Sequence, residues 1–231
     1  MRIWDINPGY LNRQSLLGEH RELHGIVSII KNNKKGYSRH PETLRWVGHG
    51  WALRQRHRLL VAEMQLRGYT DRSPVSLRAN ANTWPETFID PPAAQLQILG
   101  QKYQYIEQGR IPLPQNTQQL WAQHKYSVMA RDIVAYQDIG KRLAPSKGKH
   151  AIDTLAMELI ILLQQPPQPH LIHNALLHMW GYVSDYSAIA KQKVVELPAT
   201  QLLQTIQRLA VAHNVGYLRE STALSELGAW G

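Results

Sequence analysis

Stretches of helically spaced apolar residues, punctuated by proline and glycine, restrict this chain more than any other feature of its sequence. In the segment that begins at Leu11, the residues Leu16, His20, Leu23, Val27 and Ile30 fall on one helical face, with Asn12 placed to cap the N-terminus. Lys34, Lys35 and Gly36 supply a cationic end and a terminator. Residues 36–49 hold Tyr37, His40, Pro41, Arg45 and Trp46 and read as an ordered loop with a short helix from Pro41. The helical pattern resumes over residues 51–67, where Leu53, His57, Leu60 and Met64 share a face and Gly68 is the stop. Arg54 and Arg58 stack one turn apart off that face. Residues 70–92, rich in Ser, Pro, Asn and Asp, read as a loop or linker. Further helices are expected near 93–108, 117–143, 151–164, 170–186 and 198–213, with Pro145, Pro166, Pro167 and Pro169 between them. No β-alternation persists, so the expected fold class is all-α.

The chain has 231 residues, enough for two small domains, and residues 109–117 carry the best boundary signal. The expected division is a compact helical domain over residues 1–109 and a second helical domain over 113–231. Charge is divided just as unevenly. Residues 1–80 contain 14 Lys and Arg against 6 Asp and Glu, whereas the remainder contains 12 against 11. A local cationic excess suits a polyanion, because each neutralised phosphate releases counterions. The chain has no cysteine, which removes disulfides, zinc–thiolate fingers, iron–sulfur ligation and thiol catalysis. No apolar run approaches the ~18–20 residues of a membrane span and no signal-peptide stretch opens the sequence, so no membrane partner and a cytoplasmic location are expected.

The arrangement with the most chemical content lies on the first helix. Glu22 has Gly18 one turn before it and Gly25 nearly one turn after it, so the helix face around that carboxylate is stripped of side chains. Glycine inside a helix costs ~0.5–1 kcal/mol relative to alanine, and two of them beside an acid call for close approach by something else. That something is either a neighbouring helix or a ligand. Arg21, about 100° further round, is placed to reach a phosphate or to pair with Glu19 or Asp5. Trp46, Trp51, Trp84, Tyr37 and Tyr69 interleave with the basic residues, as a base-stacking surface requires, although core packing is the ordinary fate of such rings.

Met1-Arg2-Ile3, followed by Leu17-x-Glu19-x-Arg21-Glu22-Leu23, resembles the N-terminal block of the pyrimidine-dimer DNA glycosylases of the phage endonuclease V type. Leu53-Arg54-x-Arg56, Leu60-x-Ala62-Glu63 and Arg67-Gly68-Tyr69 resemble a later helix of that family, in the same order. The resemblance spans roughly residues 1–70. It implies a compact helical domain that binds damaged double-stranded DNA. It also implies that the N-terminal α-amine attacks C1′ of the damaged nucleotide to form an imine and that β-elimination then cuts the strand, without metal or other cofactor. By position, Met1 would supply the amine and Glu22 the catalytic carboxylate, with Glu19 the next acid in line. Arg2, Arg21, Arg45, Arg54 and Arg58 form the expected DNA-binding set. As a class, α-amines titrate near ~7.7–8.0 and are partly neutral at cellular pH, unlike lysine near ~10.4, which suits them to nucleophilic attack. The chain departs from the family pattern at three places: Met1 stands where a small residue is usual, Gly25 where the family has an arginine, and Ser15 where it has a histidine.

Beyond residue 113, Trp121-Ala122-x-His124-Lys125-x-x-x-Met129-Ala130-x-Asp132-x-x-x-Tyr136 resembles an uncharacterised bacterial helical domain often joined to desulfidase-type iron–sulfur domains. That family has no settled activity, so the resemblance implies a boundary and a helical fold but no mechanism; an accessory role with a protein or nucleic-acid partner is the expectation for this domain. His124, Lys125 and Arg131 are spaced for a helix surface, as phosphate contacts or as a solvated face. His170, His173 and His178 do not all share one helical face, so no metal is expected of them. Two other readings compete with the enzyme: a non-catalytic nucleic-acid-binding module that kept the fold, and a helical protein that recruits a partner.

Overall fold

A computed structural model describes residues 1–77, 83–144 and 151–230. Among these residues there are twelve α-helices and no strand, so the all-α expectation holds. The chain divides into two compact units, Met1–Gly109 and Arg110–Gly231.

In the first unit, α1 (Arg13–Asn32) and α3 (Gly50–Leu66) pack together, joined through the short α2 (Pro41–Trp46), and α4 (Pro92–Lys102) follows. Asn12 caps α1 as expected, its side chain accepting from the Ser15 N–H. The helix ends earlier than Gly36, because Asn33 takes the left-handed conformation (φ 49°) and closes it there. Gly68 has φ 83° and turns the chain after α3, in line with its expected role as terminator. Leu16, Leu23, Ile26, Leu53 and Leu60 are fully buried and form the α1–α3 core with Ile3, Trp4 and Ile6.

Charged side chains thread this core. Arg56 donates from Nε and Nη2 to the two oxygens of Glu19 at 2.7 and 2.9 Å, and from Nη1 to the Ile6 carbonyl at 2.8 Å. Burial raises the Glu19 carboxyl above its ordinary value, and Arg56 works against that shift. Removing one member of such a pair leaves a charge buried alone. Arg56→Met is therefore expected to destabilise the first unit by ~3–5 kcal/mol, and adding Glu19→Gln should restore part of that loss. Urea unfolding followed by tryptophan fluorescence measures both, and an unchanged midpoint in the single variant contradicts the clamp.

The second unit is built on α5 (Thr117–Met129), which packs against α6 (Ile133–Leu143), α7 (Ile152–Leu163) and α8 (Pro169–Trp180). Then come α9 (Lys191–Val194), α10 (Ala199–Ala212), α11 (Gly216–Arg219) and α12 (Ala223–Glu226), with α10 packed on α8. The single helix expected over 117–143 is two, because Asp132 caps a new start by accepting from the Val134 and Ala135 N–H groups. At that break Arg131 donates to the carbonyls of Ser127, Leu163 and Gln165 and pairs with Glu226. His124 is buried against the Leu120 carbonyl, and burial lowers it to about 4. His124 and Arg131 are thus core residues rather than surface phosphate contacts. No helix among the described residues is long and apolar enough to cross a membrane.

Candidate active site

The first nine residues of the chain run as an extended segment and a short 3-10 turn across the first unit, and charged or amide side chains from every major helix hold them. The Arg2 N–H donates to Glu22 Oε2 at 2.6 Å, and the Trp4 N–H donates to Glu19 Oε1 at 3.2 Å. Two carboxylates one turn apart on α1 thereby fix alternate amides of the N-terminal segment, which runs antiparallel to the helix. The Asp5 N–H donates to Gln95 Oε1 on α4 at 2.8 Å, and the Asp5 carboxylate accepts from Gln95 Nε2 and pairs with Arg45. The carbonyls of Pro8 and Gly9 accept from Arg67. Covalent geometry then keeps the Met1 nitrogen within roughly 6 Å of Glu22 Oε2.

The surroundings of Glu22 are open. A Cβ added at Gly18 or Gly25 meets nothing within 4 Å among the described residues. Neither glycine is packed against another helix among the described residues, so tight helix packing does not account for the pair. Arg21 is exposed beside the opening, its Nε donating to the Leu17 carbonyl at 3.2 Å. It pairs with neither Glu19 nor Asp5, which are held by Arg56 and Arg45. Arg2 is partly exposed, with Nη1 2.7 Å from Asp90 Oδ2 and its guanidinium over the Trp4 ring. On the outer side of α3, Arg54 is half-buried and Arg58 exposed.

Two expectations need correction. Arg45 does not belong to a DNA-binding surface: its side chain is 3% exposed and held between Asp5 and Glu42, with Nη1 3.1 Å from Glu42 Oε1. A guanidinium enclosed by two buried carboxylates has no face left for a phosphate. Burial pushes the Asp5 and Glu42 carboxyls upward, with Arg45 opposing both shifts. Glu19 is likewise unavailable as a substitute for Glu22, because both its oxygens are engaged by Arg56 inside the core. Among the aromatic candidates Trp46 is buried, Trp51 and Trp84 meet edge to face at 5.9 Å, and Tyr37 is 70% exposed.

One constellation escaped the sequence reading. His20 and His24 of α1, His57 of α3 and Asp71, beyond the Gly68 turn, bring four potential ligand atoms within 4.8 Å of one another. The helical faces had already grouped His20 and His57 with core residues, but their convergence needs the α1–α3 pairing and the return of the chain at Asp71.

Residues 1–77 match the family model of the pyrimidine dimer DNA glycosylases, and residues 125–227 match a family described as a protein of unknown function (DUF1722). No curated protein and no solved structure matches the chain. The first match covers every residue of the Glu22 site except Asp90 and Gln95, and it supports a glycosylase-type function with DNA as substrate for the N-terminal unit.

Proposed function

We propose that the first unit is a DNA-repair glycosylase with associated abasic-site lyase activity, acting on a damaged nucleotide of the pyrimidine-dimer type. The observation that carries this reading is the 2.6 Å bond from the Arg2 amide to Glu22, which sets the first residue beside a carboxylate in an uncrowded opening. The neutral Met1 amine attacks C1′ as the bond to the base breaks, and the base leaves with the electron pair. The attached nitrogen loses a proton and the C1′–O4′ bond opens, with O4′ taking the electron pair and a proton, to give an iminium ion whose positive charge Glu22 stabilises. Loss of a proton from C2′ expels the 3′ phosphate, and Glu22 is the nearby group able to manage that proton. Reaching C1′ in a duplex requires kinking the DNA and extruding a base, for which Tyr37 offers an exposed stacking ring. Arg2 and Arg21 serve the lesion, and Arg54 and Arg58 the backbone.

The reading is tested by incubating the untagged full chain with abasic-site DNA and borohydride, then locating the covalent link by peptide mass. A link on the Met1 nitrogen is expected. A link on a lysine, or none, overturns the mechanism.

The outer face of α3 leads to a separate expectation. Arg54 and Arg58 lie one turn apart and off the buried face, so they meet successive phosphates rather than bases. Either one replaced by alanine should weaken binding to damaged and undamaged duplex alike and lower the log–log salt slope by ~1. Arg21→Ala should instead weaken binding to damaged DNA selectively. Salt titrations on matched duplexes decide this, and parental slopes in the Arg54 and Arg58 variants rule out α3 as the DNA face. For the second unit we propose an accessory role with a protein or nucleic-acid partner.

A further inference from the structure

We infer that His20, His24, His57 and Asp71 form a structural site for one divalent first-row transition ion, with zinc the best fit. His20 and His24 sit one turn apart on α1 and therefore project from the same face, and His57 projects toward them from α3. Ring centroids lie 4.7 Å apart for His20 and His24, 5.2 Å for His20 and His57, and 5.0 Å for His24 and His57, a nearly equilateral triangle. Asp71 closes it, with Oδ1 3.3 Å from His20 Nε2 and Oδ2 3.6 Å from His57 Nε2. A tetrahedral ion bound at ~2.0–2.1 Å holds its donors about 3.3–3.4 Å from one another, so the rings, whose ligand atoms lie within 4.8 Å of one another, would draw inward on binding it.

The chemistry of the donors points the same way. The Nε2 atoms of His20, His24 and His57 are all buried with no hydrogen-bond partner among the described residues. A buried polar atom that nothing meets is costly, and three in one cluster are not a stable apolar core. A single carboxylate does not satisfy them: its oxygens lie beside two of the rings without making a hydrogen bond, and it leaves the third. The His57 side chain is 7% exposed. Neutral imidazoles are the form that ligates a metal, and three of them with one carboxylate make an N3O set suited to zinc and its neighbours rather than to magnesium or calcium.

Four protein ligands leave no open position, which makes the ion structural rather than catalytic. His20 and His24 stand two residues either side of Glu22, hence about 160° round the helix from it. The ion therefore takes no part in the amine chemistry. It fastens α1 to α3 and anchors the segment that follows Gly68.

The test uses the full chain without a histidine tag. After gel filtration, elemental analysis should find about one equivalent of zinc or another first-row divalent ion per chain, removable by dipicolinate and able to raise the melting temperature when restored. Cobalt(II) added to the stripped chain should give the intense visible bands of four-coordinate tetrahedral geometry. His24→Gln and Asp71→Asn should each lose most of the metal, whereas His170→Gln, on α8, should keep it. Less than ~0.1 equivalent in the purified chain together with no cobalt bands overturns the site. So does full metal content in both ligand variants. If the variants fail to fold, the cobalt titration of the native chain decides alone. Metal content is independent of imine trapping, so a chain that holds one equivalent but never links to DNA overturns the proposed enzyme and leaves this site standing.

Discussion

Glu22→Gln is expected to reduce strand cleavage by on the order of 10²-fold or more, equivalent to about 2.7 kcal/mol of transition-state stabilisation. The substitution separates two roles of this side chain. Its oxygen accepts from the Arg2 amide, and a glutamine carbonyl can go on accepting that bond, so the N-terminal segment stays where it is. What would disappear is the negative charge proposed to face the iminium ion and the proposed capacity to exchange a proton with the sugar. Stability should change little, because Glu22 lies at the edge of the core and Glu19 still holds Trp4. Single-turnover cleavage of a dimer-containing duplex, alongside a melting curve, makes the comparison. Undiminished cleavage in a folded variant means that another group does the chemistry, and since Glu19 is closed off by Arg56, that group would have to come from outside α1.

An uncleaved N-terminal extension of even a few residues should abolish imine trapping while leaving DNA affinity within a few-fold of the parent. The extension turns the amine into an amide, whose nitrogen lone pair is delocalised into the carbonyl and is not nucleophilic. Affinity persists because the backbone contacts assigned to Arg54 and Arg58 lie elsewhere on the unit. The experiment compares a chain retaining a short leader with the same chain after its removal, on abasic DNA with borohydride. Equal trapping in both removes the α-amine from the mechanism and turns attention to the lysines.

Helices were legible in the sequence wherever a local device defines them. Asn12 caps α1 through its own side chain, Pro41 opens α2, and Gly68 turns the chain after α3, and each of these acts within a few residues. Boundaries set by less obvious devices were not legible. Asn33 adopts the left-handed conformation before Gly36 is reached, Tyr103 closes α4 short of residue 108, and Asp132 restarts a helix where neither proline nor glycine announces a break. Within the site, Glu22 and its flanking glycines could be read because they share one helix. Whether the glycines faced a neighbour or an opening could not, since that depends on what packs nearby. Arg45 shows the general difficulty: its partner Asp5 lies 40 residues away, and nothing local separates a buried clamp from a phosphate contact. The histidine cluster was not legible for the same reason, as its residues come from two helices and a returning loop.

The anchoring of the first few residues has a consequence for rate. A free tail would have to be ordered each time a lesion arrived, and immobilising backbone costs ~1–2 kcal/mol per residue. Here the amides of residues 2, 4 and 5 are already tied to Glu22, Glu19 and Gln95, so that ordering is complete before DNA binds. In the proposed reaction the amine would meet C1′ as one part of a molecule meets another, at an effective molarity far above that of any amine in solution. The same arrangement ties reactivity to the fold: loosening the buried Arg56–Glu19 pair would slacken the hold on Trp4 and let the nucleophile drift well before the helices themselves came apart.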